Sequence, residues 1–207
     1  MVAGLEPGRT SWTAVLDAAR LGPADDETGV TAVQVRDVVG RLVAAGQWRP
    51  GDPDIVIVLD AGYDVARLAW LLSDLPVELA GRLRSDRVLY FPAPPRGGGR
   101  GRPVRHGAEF ALADPATWPG PPVTTRTATA RSGTAVAAAW DRLHPRLTHR
   151  AAWLGHDGDL PVIEGTLIRL QVDRLPGDRD PQPVWLWAYL VCPRRGPRYV
   201  NWGTCVS

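Results

Sequence analysis

Apolar positions along the first ninety residues recur at spacings that predict a succession of strands and helices. Val2 to Leu5 forms a short run that predicts the end of a strand. In "SWTAVLDAARL", Trp12, Ala14, Leu16 and Ala18 fall on one side, which favours a second strand, although the alanines leave a helix open. After the acidic loop "GPADDETG", Val35, Val38, Val39, Leu42 and Val43 have the spacing of an amphipathic helix, with Thr31 as its N-cap and Gly46 as its stop. Ile55–Leu59 is an unbroken apolar strand. "YDVARLAWLLSDLP" is helical, with Val65, Leu68, Ala69 and Leu72 on one face and Pro76 beyond its end. "VELAGRLRSDRVLYF" then predicts one strand or two. This order predicts an α/β sheet with parallel neighbours joined by crossovers.

The pattern changes at Pro92. "PAPPRGGGRGRPVRHG" has no periodicity and predicts a mobile basic loop. "EFALADPATWPGPP" is short and turn-rich. The stretch from Val123 to Trp153 mixes Thr and Val with an Ala run, and pairing with later strands favours extended structure from Thr134 to Leu143. Ile163, Thr166, Ile168, Leu170 and Val172 alternate as a strand does, and "PVWLWAYLV" supplies a last one. The expected divisions are an α/β unit over 1–91, a basic loop over 92–103, a β-rich unit over 104–191 and an irregular tail over 192–207. That tail holds the chain's single asparagine, Asn201, and both cysteines, Cys192 and Cys205, and reads as a foreign, frame-shifted end.

Composition refines this picture in two places. With 207 residues, 44% of them hydrophobic, and nine tryptophans, the chain can bury a sizeable core. All 24 of its cationic residues are arginines, while the net charge is only +2. GC-rich coding explains the arginines without function; a face that grips phosphate bidentately is the functional alternative. No leader pattern and no apolar run of membrane-spanning length are visible, so a cytoplasmic, nucleoid-associated location without membrane contact is expected.

The chemistry centres on "VIVLDAGYD". Asp60 ends a hydrophobic strand, and Asp64 opens the helix that follows. Such an acid either caps a turn or, at the carboxyl end of a strand in an open α/β sheet, holds a ligand such as a divalent metal. Asp64 suits the helix dipole and could serve only as a cap. Arg82, Arg84 and Arg87, and further on Arg96, Arg100, Arg102 and Arg105 beside His106, are candidate contacts for a DNA backbone, or solvated surface charges. His144, His149 and His156 lack cysteine partners and do not form a zinc pattern. Trp140, Trp153, Trp185 and Trp187 are expected in the core rather than as base-stacking platforms.

Several blocks carry a resemblance: "LEPGRTSW", "GQWRPGDPDIVIVLDAGYDVARLAWLLSDLPVELAGRLRSDRVL", "EFALADPATWP", "AAWDRLHPRLTHRAAW" and "LPVIEGTLIRLQVDRLPGDRDPQPVWLW". Over residues 2 to 187 the chain resembles bacterial insertion-sequence transposases, DDE endonucleases of the RNase H-like superfamily. The resemblance implies an RNase H-like core with a β-rich insertion, and two Mg²⁺ or Mn²⁺ ions held by three carboxylates for attack on a DNA phosphodiester. It places Asp60 on the second catalytic and metal-binding aspartate, with Asp64 as a supporting acid. It also puts the first Asp on a strand upstream of this chain and the Glu on a helix beyond the insertion. Neither has a match here, and Glu6, Asp17, Glu78, Glu109 and Glu164 do not supply the missing pair. The expectation is an incomplete core, truncated at both ends and inactive alone. The alternative is a non-catalytic relic that binds DNA, associates with itself or joins full-length transposase.

Overall fold

In the computed structural model, residues 1–5, 13–95, 104–150, 153–175 and 180–190 are described. The tail and Arg96, Arg100 and Arg102 of the basic loop lie outside them. Strands β1 (Val2–Leu5) and β2 (Thr13–Asp17) form an antiparallel hairpin with Leu5 opposite Thr13. Helix α1 (Glu27–Ala44) leads to β3 (Ile55–Leu59), and α2 (Val65–Leu71) crosses over to β4 (Val77–Leu83), which runs parallel to β3. Then follow β5 (Val88–Pro92), β6 (His106–Ala111), a 3₁₀ turn at Pro115–Thr117, β7 (Val123–Thr129), β8 (Gly133–Pro145), β9 (Gly165–Val172) and β10 (Val184–Leu190).

Two sheets result. β1 and β2 stand alone, while the other eight strands run in the order β3-β4-β10-β9-β8-β5-β6, with β7 on the side of β8. β10 pairs antiparallel with both β4 and β9, so hydrogen bonding continues from the α/β segment into the β-rich one. β8 serves three neighbours by bending. Its first part pairs with β7 and β9, its register slips between Trp140 and Leu143, and its end pairs with β5. Arg142 takes the bend at φ 60°.

One hydrophobic cluster runs through both parts. On the helix-covered face of β3 and β4, Leu59, Val77 and Leu79 pack with Val35 and Val39 of α1 and Leu68 and Ala69 of α2. Val56 and Val58 point the other way and are 61% and 64% exposed. Farther along, Phe110, Trp118, Trp140 and Trp185 pack ring against ring at centroid distances of 5.0 to 6.1 Å. Trp140, Trp153, Trp185 and Trp187 are all buried. No described helix is long and apolar enough to cross a membrane.

The first helix begins earlier than its pattern suggests. Asp26, not Thr31, stands at the N-cap. Its carboxylate is taken by Nη1 and Nη2 of Arg67 on α2, each at 2.5 Å, so a tertiary ion pair sets the start of α1. The first half of "EFALADPATWP" is strand rather than turn, because Phe110 and Leu112 are drawn into the tryptophan cluster. The hairpin is tied to α1 through Asp17, which accepts from Gln34 Nε2 at 3.1 Å and Arg41 Nη2 at 2.9 Å. These bonds, that from Gln34 foremost, hold the Asp17 carboxyl below its usual range.

Candidate functional site

The parallel register sets Leu59 beside Gly81, which carries the next pair, Asp60 and Arg82, to the carboxyl ends of β3 and β4. The chain turns sharply there: Asp60 Oδ1 accepts from the Ala61 N–H at 2.8 Å, and the Tyr63 N–H donates to the Asp60 carbonyl at 3.3 Å. The Asp60 side chain is 82% exposed, with Arg82 Nη1 at 3.9 Å. Asp64 is occupied otherwise. As N-cap of α2, its Oδ1 accepts from the Arg67 N–H at 3.0 Å.

Ala61 and Arg82 open onto a cleft of about 600 Å³. Arg82, Arg84 and Arg87 line it from the end of β4 and the turn into β5. Arg105 faces elsewhere: its guanidinium donates to the Leu160 carbonyl and lies 3.6 Å from Asp159. Arg146 and Arg150, after β8, also line the cleft and were not singled out from the sequence. Their signal was available in "HPRLTHR", a basic run directly after a strand.

The other acids are dispersed. Glu109 accepts from the Tyr90 hydroxyl, and Glu164 pairs with Arg142. Glu6 lies outside the described residues. Glu78 and Asp54 belong to the opposite end of the β3–β4 pair; burial pushes both carboxyls up, and Asp54 adds to the effect on Glu78. Among the described residues no group of three or more His, Cys, Asp or Glu side chains could hold a metal ion. A divalent cation of the Mg²⁺ type needs several oxygen ligands, and Asp60 offers one exposed carboxylate with a guanidinium nearby. The described residues therefore do not fit a metal centre.

A histidine pair links β6 to β8. His106 Nδ1 and His144 Nε2 lie 2.9 Å apart, and His144 is fully buried. Tyr90 packs on both rings, with Arg105, Arg146, Arg142 and Glu164 around them. Burial lowers the pKa of both. The charges of Arg146 and Arg105 lower that of His106 further, as His106 does for His144. Since the unfolded chain binds these protons more readily, stability is fully present above about pH 6.5 and is lost as pH falls through the depressed folded-state values. Glu78 and Asp54, with raised pKa values, act in the opposite sense within the carboxylate range. Denaturant melts are expected to show stability dropping over the window that opens as pH falls below about 6.5, and less so in His106→Asn. Equal stability across that window would contradict the assignment.

The arrangement is thus a mixed α/β sheet with few helices, a strand-end carboxylate and an arginine-lined cleft beside it. Comparison with protein families supplies the class: residues 1–146, from β1 to just past β8, match the DDE superfamily endonuclease family, and the chain belongs to it. This is a family of nuclease and transposase type, acting on DNA and generally using divalent metal ions. No curated protein and no solved structure matches the chain.

Proposed function

We propose that this chain is an insertion-sequence DDE transposase in incomplete form, able to bind DNA but not to cleave it alone. The observation that carries the reading is the isolation of Asp60. It stands at the carboxyl end of a parallel strand pair, yet no further acids gather into a metal site among the described residues. In this reading Asp60 is the one active-site carboxylate present, Asp64 is a helix cap, and residues 1–91 and 104–191 are a partial RNase H-like core and its β-rich insertion.

The free edges of the two sheets support the incompleteness. Among the described residues β1 pairs only with β2, and β3 ends the larger sheet. Both edges line one cavity of about 490 Å³, roofed by Val35, Val38 and Val39 of α1, with no charged side chain in its lining. A further strand would find unpaired backbone on both sides, where an open edge is otherwise prone to association. The same cavity favours a second reading, in which a strand from full-length transposase or from a second copy completes the sheet.

The test combines DNA cleavage and binding. Incubated with supercoiled DNA and Mg²⁺ or Mn²⁺, the chain alone is expected to produce no Asp60-dependent nicks. Salt-sensitive duplex binding should persist, with Asp60→Asn changing affinity by no more than about twofold, as for most surface substitutions. Metal-dependent cleavage abolished by Asp60→Asn would overturn the incompleteness. Absence of DNA binding at low salt would overturn the DNA-binding reading.

A further inference from the structure

The cleft beside Asp60 has two basic walls from distant parts of the chain. One is the β4–β5 turn, with Arg84 and Arg87. The other is the segment leaving β8, with Arg146 and Arg150. Two aspartates also line the cleft, and both are engaged: Asp64 caps α2, and Asp86 accepts from Arg84 at 3.0 Å. Arg87, Arg146 and Arg150 have no carboxylate partner among the described residues.

The second wall is held in shape. The Arg150 N–H donates to the Thr148 carbonyl at 2.7 Å, and the Trp153 N–H donates to the Arg150 carbonyl at 3.1 Å. Trp153 packs against Trp70 and His156, and its indole N–H is buried without an acceptor. At its other end the wall is anchored where β8 meets β5, through Leu89 opposite Pro145 and Tyr90 opposite His144. Guanidiniums on both walls of one cleft, those of Arg87, Arg146 and Arg150 without a carboxylate partner among the described residues, form a receptor for a polyanion, and guanidinium geometry matches phosphate oxygens.

The geometry points to a two-walled clamp on the phosphodiester backbone of DNA, in which Arg146 and Arg150 hold the strand against Arg84 and Arg87 next to Asp60. This rests on the reading of the chain as DNA-binding and adds residues from the β8–β9 connection. These arginines bind and position; they react with nothing.

Binding of a labelled duplex of arbitrary sequence, titrated over a range of salt concentrations, tests the clamp in the full chain. Arg146→Ala/Arg150→Ala is compared with Arg126→Ala/Arg131→Ala, which removes equal charge from β7 and the β7–β8 turn. All four side chains belong to exposed residues, and thermal melts confirm folding. The clamp variant is expected to bind roughly 100-fold more weakly, with a salt slope shallower by about 2, one unit for each lost phosphate contact. The control should lose little. Equal losses in the two variants, with the parent chain still binding DNA, would overturn the clamp and leave the DNA reading intact. A parallel titration with inorganic pyrophosphate separates a polynucleotide from free phosphate. Pyrophosphate binding that needs Arg146 and Arg150, with no DNA binding, would overturn DNA as the ligand and the broader reading with it. Binding of neither would overturn both.

Discussion

Trp187→Ala is expected to remove about 3–5 kcal/mol of stability, the range for truncating a buried aromatic residue. Trp187 is 2% exposed, and its indole N–H donates to the Leu143 carbonyl at 3.0 Å inside the core. Its ring lies directly over Gly165, where an added Cβ would come within 2.5 Å of Cε2. The residue therefore joins β10 to the end of β8 across β9. Truncation opens a cavity and also leaves a buried carbonyl without its donor, two penalties that combine. Trp187→Phe separates them, since most of the apolar bulk remains and only the donor goes. It should lose less, with about 1–3 kcal/mol attributable to the orphaned carbonyl. Because whole domains hold only about 5–15 kcal/mol, the alanine variant should melt far below the parent. A loss under about 1 kcal/mol in Trp187→Ala would show that this junction does not carry the sheet.

The second large effect is expected at Gly81, where the constraint is steric. A Cβ at this position would lie 2.0 Å from Val65 Cγ2 and 3.1 Å from Val65 Cβ. α2 can pack this closely on β4 only because Gly81 has no side chain. Gly81→Ala should destabilise by about 1–3 kcal/mol, the usual range for overpacking. It should also push the start of α2 outward, and with it the turn that carries Asp60 and Asp64. Val65→Ala should cost about 2 kcal/mol alone. Combined, the two should cost little more than Val65→Ala by itself, because the smaller residue makes room for the new methyl. Such non-additivity is the signature of direct contact. Additive losses in the double variant would refute the clash.

Local pattern made several elements legible and left others hidden, for identifiable reasons. Ile55–Leu59 is a strand with the bounds its apolar run predicts, and the parallel β3–β4 pair follows the strand–helix–strand order. Gly46 stops α1 at a φ of 72°, as a glycine stop should. The start of α1 was not legible, because it depends on Arg67, 41 residues from Asp26. Val43, assigned to the apolar face of α1, is 40% exposed in the last turn of the helix. The site divides in the same way. Asp60 stood out as an acid ending an apolar run. The clamp was half visible, in Arg84 and Arg87, while Arg146 and Arg150 join them only because β8 bends from β9 towards β5. The histidine pair was hidden for a similar reason: 38 residues separate His106 from His144, and β5, which pairs with both strands, brings them together.

The position of β10 bears on how such a chain is made. It is the last described strand in the sequence, yet it lies between β4 and β9 in the larger sheet. During synthesis β4 waits for its second neighbour until residues 184–190 emerge, roughly 5–20 s after β4 itself at ordinary elongation rates. Throughout that interval the nascent α/β segment has unpaired backbone on both outer edges, at β3 and at β4. The decisive step of folding therefore comes late: roughly a hundred further residues must be made after β4 before the two halves can join. Nascent chains crowded on one messenger would meet with these edges still open, so output is expected to depend on chaperone capacity as much as on the stability of the finished fold.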